Sequence, residues 1–166
     1  MNYLARSPSN NIKRILGIDP GLRHTGWAVI DIKGREIIYI ASGVINTDAK
    51  QPMTERLTLI FREIVAIVKK FEPLSSGLEE TYVNKNYGSS LKLAHARAAA
   101  MVAMNSNGLD VCEYAAKTVK KTVTGSGSAD KAQVSKMLSL LMPGVSIKSE
   151  DESDALAIAV CHGLCS

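Results

Sequence analysis

Apolar residues recur along this chain with two different periods, and the changes of period divide it into elements. The run Ile15-Leu16-Gly17-Ile18 within residues 12–19 ends on Asp19, with Pro20-Gly21 directly behind it. That is the pattern of a strand running into a turn. Residues 25–32 (TGWAVIDI) and 36–40 (EIIYI) are rich in β-formers and are separated by Lys33-Gly34, which predicts a hairpin. Gly43-Val44-Ile45 continues it as a third or extended strand, so the sheet opens with antiparallel strands. The spacing then lengthens. Leu57, Ile60, Phe61, Ile64, Ile67, Val68 and Phe71 recur at steps of three and four, with charged residues between them. This predicts an amphipathic helix with Pro52 near its start and Pro73 beyond its end.

Periodicity alone barely marks residues 77–80 (GLEE) as a strand. Ser89 or Ser90 caps a second helix running to about Met104, and Asn107-Gly108 stops it. Its segment LKLAHARAAAMVAM is apolar on more than one side, so it must be covered twice, by its own sheet or by a partner chain. Residues 109–114 (LDVCEY) form the next strand. Ser128 caps a helix over about 129–142, and a last helix spans about 151–164. Three antiparallel strands followed by helix, strand, helix, strand, helix, helix predict an α/β fold. The expected form is a mixed five-stranded sheet with helices on both faces. Residues 12–166 make one domain without repeat or linker. Residues 1–11 lack an apolar segment and are expected to be a disordered lead-in rather than a secretion signal.

Composition narrows the class. No run of eighteen apolar residues exists, so a membrane-spanning helix is not expected. Cys112, Cys161 and Cys165 are odd in number and form no Cys-x-x-Cys pair, which predicts a reduced, cytoplasmic protein. The net charge of +4 is compatible with a polyanionic partner without demanding one. Its distribution is more informative. Lys117, Lys120, Lys121 and Lys131 crowd one stretch, and Glu150, Asp151, Glu152 and Asp154 crowd another.

Four acids stand out as candidates for chemistry. Asp19 ends an otherwise apolar strand, where a buried acid without a partner is costly, although an Asp before Pro-Gly also starts turns. Glu79 ends the short 77–80 segment, where a solvated acidic loop is the plainer reading. Asp151 and Asp154 stand at i and i+3, on the helix face that continues through Ala155, Ile158 and Cys161. The helix macrodipole explains Glu150 and Glu152 well, but Asp151 and Asp154 only in part. Carboxylates a few ångströms apart repel by roughly 4 kcal/mol per pair at an effective dielectric near 20. A cation would relieve that repulsion. All-oxygen donors without His or Cys select Mg²⁺ or Mn²⁺, and a pair of such ions serves in-line displacement at a phosphodiester.

Five blocks resemble the RuvC family of Holliday junction resolvases. They are ILGIDPGLRHTGWAVI, the glutamate in GLEETYVNKN, SLKLAHARAAAMVA, VCEYAAKTVKKTVTGSGSADKAQV and DESDALAIAVCH. They occur in the family's order over about residues 15–162. The resemblance implies a ribonuclease H-like fold, a homodimer, and Mg²⁺-dependent paired nicking of opposed strands at a four-way DNA junction. It further implies two ions per active site, Mn²⁺ as a substitute, and work beside a branch-migration motor. It carries the catalytic, metal-holding acids onto Asp19, Glu79, Asp151 and Asp154. It places Lys120 and Lys131 near the cut phosphate and Tyr82 where an aromatic stacks on opened bases. The position of a histidine found in some relatives is Asp151 here, so His162 is expected to be structural. Leu22 and Trp27 depart from the more usual Ser and Tyr. Three other readings stay open. One is an RNA-directed ribonuclease H-like nuclease of the YqgF type. Another is a non-catalytic junction-binding protein. The third, an actin-like kinase, needs two domains that 166 residues do not supply.

Overall fold

The structure, a computed structural model, describes residues 12–80 and 87–166. The expected lead-in, and the 81–86 segment that carries Tyr82, lie outside the described residues. The element order is β1 (Ile12–Asp19), β2 (His24–Lys33), β3 (Glu36–Asn46), α1 (Met53–Phe71), β4 (Ser75–Glu79), α2 (Tyr87–Asn105), β5 (Val111–Tyr114), α3 (Ala116–Thr124), α4 (Lys131–Leu141) and α5 (Glu150–Cys165). The strands form one sheet in the order β3-β2-β1-β4-β5. β1 and β3 flank β2 antiparallel, whereas β4 joins β1, and β5 joins β4, in parallel. The expected mixed five-stranded sheet is therefore present.

Strand alternation divides the core into two layers. Leu16, Ile18, Val29 and Leu78 pack with Ile60 and Ile64 of α1 and Ala96, Ala100 and Met104 of α2. Ile15, Ala28, Ile30 and Ile32 face the other way, onto Val119 of α3, Leu138 of α4 and Leu156 and Ile158 of α5. Helices thus cover both faces, and each fully buried Leu or Ile contributes about 1.5–3 kcal/mol. Helix α5 is the most deeply set, with every residue from Ala155 to Gly163 buried.

Small residues let α5 sit this close. A Cβ added at Gly17 would lie 2.3 Å from the Ala155 carbonyl oxygen and 2.6 Å from the Ala159 nitrogen. Glycine on the strand and alanine on the helix allow backbone to approach backbone. At the edge of β1, Arg14 donates from Nε and Nη2 to both carboxylate oxygens of Asp31 at 2.8 and 3.0 Å. This bidentate pair ties β1 to β2.

Several sequence-based boundaries shift. The segment after β5 holds a separate nine-residue helix, α3, that apolar spacing did not reveal, because only Val119 and Val123 are buried in it. Gly125, at φ 83°, ends it by donating to the Lys121 carbonyl. The cap of α4 is Asp130 rather than Ser128. Asp130 accepts from the Gln133 amide while Gln133 Oε1 accepts from the Asp130 amide, a reciprocal capping box. Ser128 instead bonds to Ser126 within the loop. Residues 36–46 form one long strand rather than two pieces, with a bulge near Ile40.

Candidate active site

Two of the four acids are brought together by the register of parallel strands. Ile18 pairs with Leu78, so the next residues, Asp19 and Glu79, end adjacent strands at their carboxyl ends. Asp19 lies two residues beyond Gly17, and Glu79 two beyond Gly77. Both glycines meet α5, so both acids project to the α5 side. Asp151 arrives from the helix. Gly26, which pairs with Asp19, lies so close to α5 that an added Cβ would stand 2.0 Å from the Asp151 carbonyl oxygen. Asp154 follows one turn later on the same face.

Electrostatics follow from this gathering. Burial, and then the charges of Asp154, Glu79 and Asp151, push the Asp19 carboxyl up to about 7. Burial and Asp154 likewise raise Glu79, and Lys120 and Lys131 oppose the shift. Burial raises Asp154, against the pull of Lys131. Mutual repulsion and desolvation therefore act in the same direction on the three acids. Lys131 Nζ donates to Glu150 Oε2 at 2.8 Å and to Asp154 Oδ2 at 3.4 Å. These bonds hold the lysine above its ordinary range, Glu150 contributing most. An open cavity of about 500 Å³ adjoins this pair, lined by Lys131, Ser135, Lys148, Ser149 and Asp154 among others.

The donor chemistry fits a hard divalent cation: four carboxylates, three of them held above the usual carboxylate range. Among the described residues, no three His, Cys, Asp or Glu side chains form a ready cage. Mg²⁺ does not require one, because it keeps several waters and is held by one or two carboxylates together with substrate phosphates.

Of the residues singled out from sequence, Asp19, Glu79, Asp151, Asp154, Lys120 and Lys131 lie near enough for their charges to act on this group of carboxyls, and Tyr82 lies outside the described residues. His162 is buried away from the acids. Its Nδ1 bonds Tyr114 Oη and its Nε2 bonds Ser75 Oγ, both at 2.8 Å, and burial lowers its pKa. Sequence reasoning passed over Glu152. Explained from sequence by the helix macrodipole alone, it is buried and accepts from Ser42 Oγ at 2.8 Å. The alanines that follow, which mark a helix face pressed on a sheet, were the signal that could have flagged its neighbourhood.

A mixed sheet in this order, layered by helices on both faces and carrying acids at the carboxyl ends of its central strands, is the architecture of the ribonuclease H-like class. A family model described as crossover junction endodeoxyribonuclease RuvC matches residues 15–162. The chain is 48% identical over 152 residues to the crossover junction endodeoxyribonuclease RuvC of Xanthobacter autotrophicus, covering 92% of this chain and 90% of that protein. It is 49% identical over 149 residues to the RuvC of Maricaulis maris, covering 90% and 89%. Among solved structures, T. thermophilus RuvC in complex with a Holliday junction substrate superimposes with a TM-score of 0.86 at 28% identity, covering 90% of this chain and 92% of that one. The yeast mitochondrial Holliday junction resolvase Ydc2 shares the fold, with a TM-score of 0.67 at 14% identity, covering 91% and 79%. The chain belongs to the RuvC family of crossover junction endodeoxyribonucleases. These matches do not favour the RNA-directed or the non-catalytic alternative.

Proposed function

We propose that this protein resolves four-way DNA junctions by hydrolysing one phosphodiester in each of two opposed strands. The observation that carries the reading is the convergence of Asp19, Glu79 and the Asp151–Asp154 pair, from three distant segments, in a chain of this family. Asp19, Glu79, Asp151 and Asp154 would hold Mg²⁺, two ions per site, with Mn²⁺ as a substitute. Bound ions would activate the attacking water and neutralise charge building on the phosphate. The chain's own residues supply the rest. The acids would orient the incoming water, which can donate to their oxygens. Lys131, exchanging Glu150 for a phosphate oxygen, and Lys120 hold the strand as point charges. The neighbouring phosphates dominate affinity, so binding falls steeply with salt.

The protein acts as a homodimer. Tyr87, Leu91 and Val102 of α2 are exposed and fall on one stripe of the helix, opposite the buried Ala96, Ala100 and Ala103. A two-fold axis through such a stripe gives two active sites, matching the two opposed strands of a junction. Val102→Asp is expected to weaken self-association more than tenfold, since two valine contacts are lost at about 1.5 kcal/mol or more each. Sedimentation velocity checks this, and a variant that stays dimeric places the interface elsewhere. Contact with a branch-migration motor and a cytoplasmic location complete the reading. No described helix is long and apolar enough to cross a membrane.

The deciding experiment is a nicking assay on a labelled synthetic four-way junction, with and without Mg²⁺. Paired, Mg²⁺-dependent nicks in opposed strands are expected, with linear duplex and structured RNA cut far more slowly. Preference for RNA, or full activity in a chelator, overturns the proposal.

A further inference from the structure

Glu152 lies between two of the proposed metal-holding acids, yet it points elsewhere. On a helix turning about 100° per residue it stands about 160° around from Asp154. It is 8% exposed and makes no ion pair among the described residues. A buried carboxylate needs donors, and the sheet supplies one. Ser42 Oγ donates to Glu152 Oε2 at 2.8 Å, and Tyr39 Oη lies 3.0 Å from Ser42 Oγ. Serine has one hydroxyl hydrogen, which goes to Glu152, so Tyr39 must be the donor to Ser42. The result is a directed chain from Tyr39 through Ser42 to Glu152.

This chain exists because β3 is bulged. Residues three apart on a regular strand face opposite sides of the sheet. Here the pairing passes from Val29–Ala41 to Ile30–Tyr39, leaving Ile40 as the extra residue. Ser42 therefore stands opposite Ala28 and Tyr39 opposite Ile30, both on the α5 side. The bulge turns two hydroxyls toward one helix, on the flank away from Asp154.

Further along α5, His162 bonds Tyr114 and Ser75 on the β4–β5 side and anchors that end of the helix. Gly17 and Gly26 meet its backbone and limit how near it comes to the sheet. At the first turn, almost three turns before His162, backbone contact alone leaves that end of the helix room to roll, which would move Asp151 and Asp154 relative to Asp19. A hydrogen bond on the far flank stops that roll.

We propose that the Tyr39–Ser42–Glu152 chain is a positioning device that fixes the rotation of α5, so that Asp151 and Asp154 meet a divalent ion together with Asp19. The inference rests on the reading that these acids hold the metal. Groups that orient metal ligands in this way typically matter by about 10-fold or more in affinity.

The test is Mn²⁺ titration of the full-length protein, followed by electron paramagnetic resonance, with thermal melting as a check on folding. Ser42→Ala and Glu152→Ala are each expected to bind Mn²⁺ about 10-fold more weakly than wild type. Glu152→Gln, whose carbonyl oxygen still accepts from Ser42, should bind close to wild type. In the junction assay the two alanine variants should recover most of their rate at saturating metal, which a general loss of structure would not permit. Ser42→Ala binding Mn²⁺ like wild type overturns the proposal. So does Glu152→Gln binding as weakly as Glu152→Ala, because charge rather than position would then be at work. Failure of the wild type itself to bind Mn²⁺, or equal binding by Asp154→Asn, removes the metal reading beneath it. Should Glu152→Ala not fold, Ser42→Ala decides alone.

Discussion

Replacing Asp19 by Asn is expected to slow nicking by about three orders of magnitude while the junction remains bound. Asparagine keeps the shape and hydrogen-bonding capacity of the side chain but removes the charge that would hold a cation. Metal assistance is worth several kcal/mol at the transition state, and each 1.36 kcal/mol is tenfold in rate. Binding should persist, because the phosphate contacts proposed for Lys120 and Lys131 do not pass through Asp19. Single-turnover cleavage and gel-shift affinity on one junction measure the two effects separately. Normal cleavage by the variant would end the proposed mechanism.

The same substitution should stabilise the metal-free protein, with a sign set by the Asp19 carboxyl. Its folded value, about 7, lies above the ordinary 3.8, chiefly because it is buried and then because Asp154, Glu79 and Asp151 surround it. An acid raised on folding contributes its full stability below the unfolded value and loses it as pH rises through the folded value. The loss therefore falls between about pH 4 and pH 7 and reaches at most about 4 kcal/mol. Glu79 and Asp154, also raised, add in the same direction. Without metal at about pH 8, Asp19→Asn should melt above wild type, and the gap should close toward pH 4. Mg²⁺ should raise the melting temperature of wild type more than that of the variant. Calorimetry at the two pH values, with and without Mg²⁺, checks all of this.

Gly26→Ala should damage both stability and cleavage, for a purely steric reason. The new Cβ would stand 2.0 Å from the Asp151 carbonyl oxygen and 2.6 Å from its carbonyl carbon, so the start of α5 must move outward. Overpacking a well-filled contact costs typically 1–3 kcal/mol. Displacing a catalytic group by about 1 Å can cost about 100-fold in rate. Gly77→Ala is the milder comparison, since its nearest new neighbour is the His162 Cβ at 3.0 Å. Urea unfolding and single-turnover cleavage of both variants report the two costs. A Gly26→Ala protein as active as wild type would mean that Asp151 is not held at the site by this contact.

Sequence pattern carried much of the architecture. The alternation through residues 25–32 and the Lys33-Gly34 turn specified a hairpin, and the three- and four-residue spacing from Leu57 to Phe71 specified α1. Asp151 and Asp154 were legible as a pair because helical spacing put them on the face that Ala155 and Ile158 continue inward. Glu79 was not legible in this way. Its strand is five residues long and draws its character from β1 and β5 on either side, which no local window contains. Helix α3 escaped because a helix with two buried residues has almost no period to read.

What the chain by itself determined was which residues are apolar, at what spacing, and where acids interrupt them. That was enough for every element but α3, for helices on both faces of the sheet, and for the four candidate acids, although at Glu79 a solvated loop was the plainer reading. Tertiary structure alone decided that Asp19 and Glu79 end neighbouring parallel strands, that Gly26 admits Asp151 to within backbone contact, and that a bulge at Ile40 turns Tyr39 and Ser42 toward Glu152. The reason is physical. Periodicity reports which face of an element avoids water. Register, bulges and close backbone approach depend on a partner segment tens of residues away, and they exist only once both are in place.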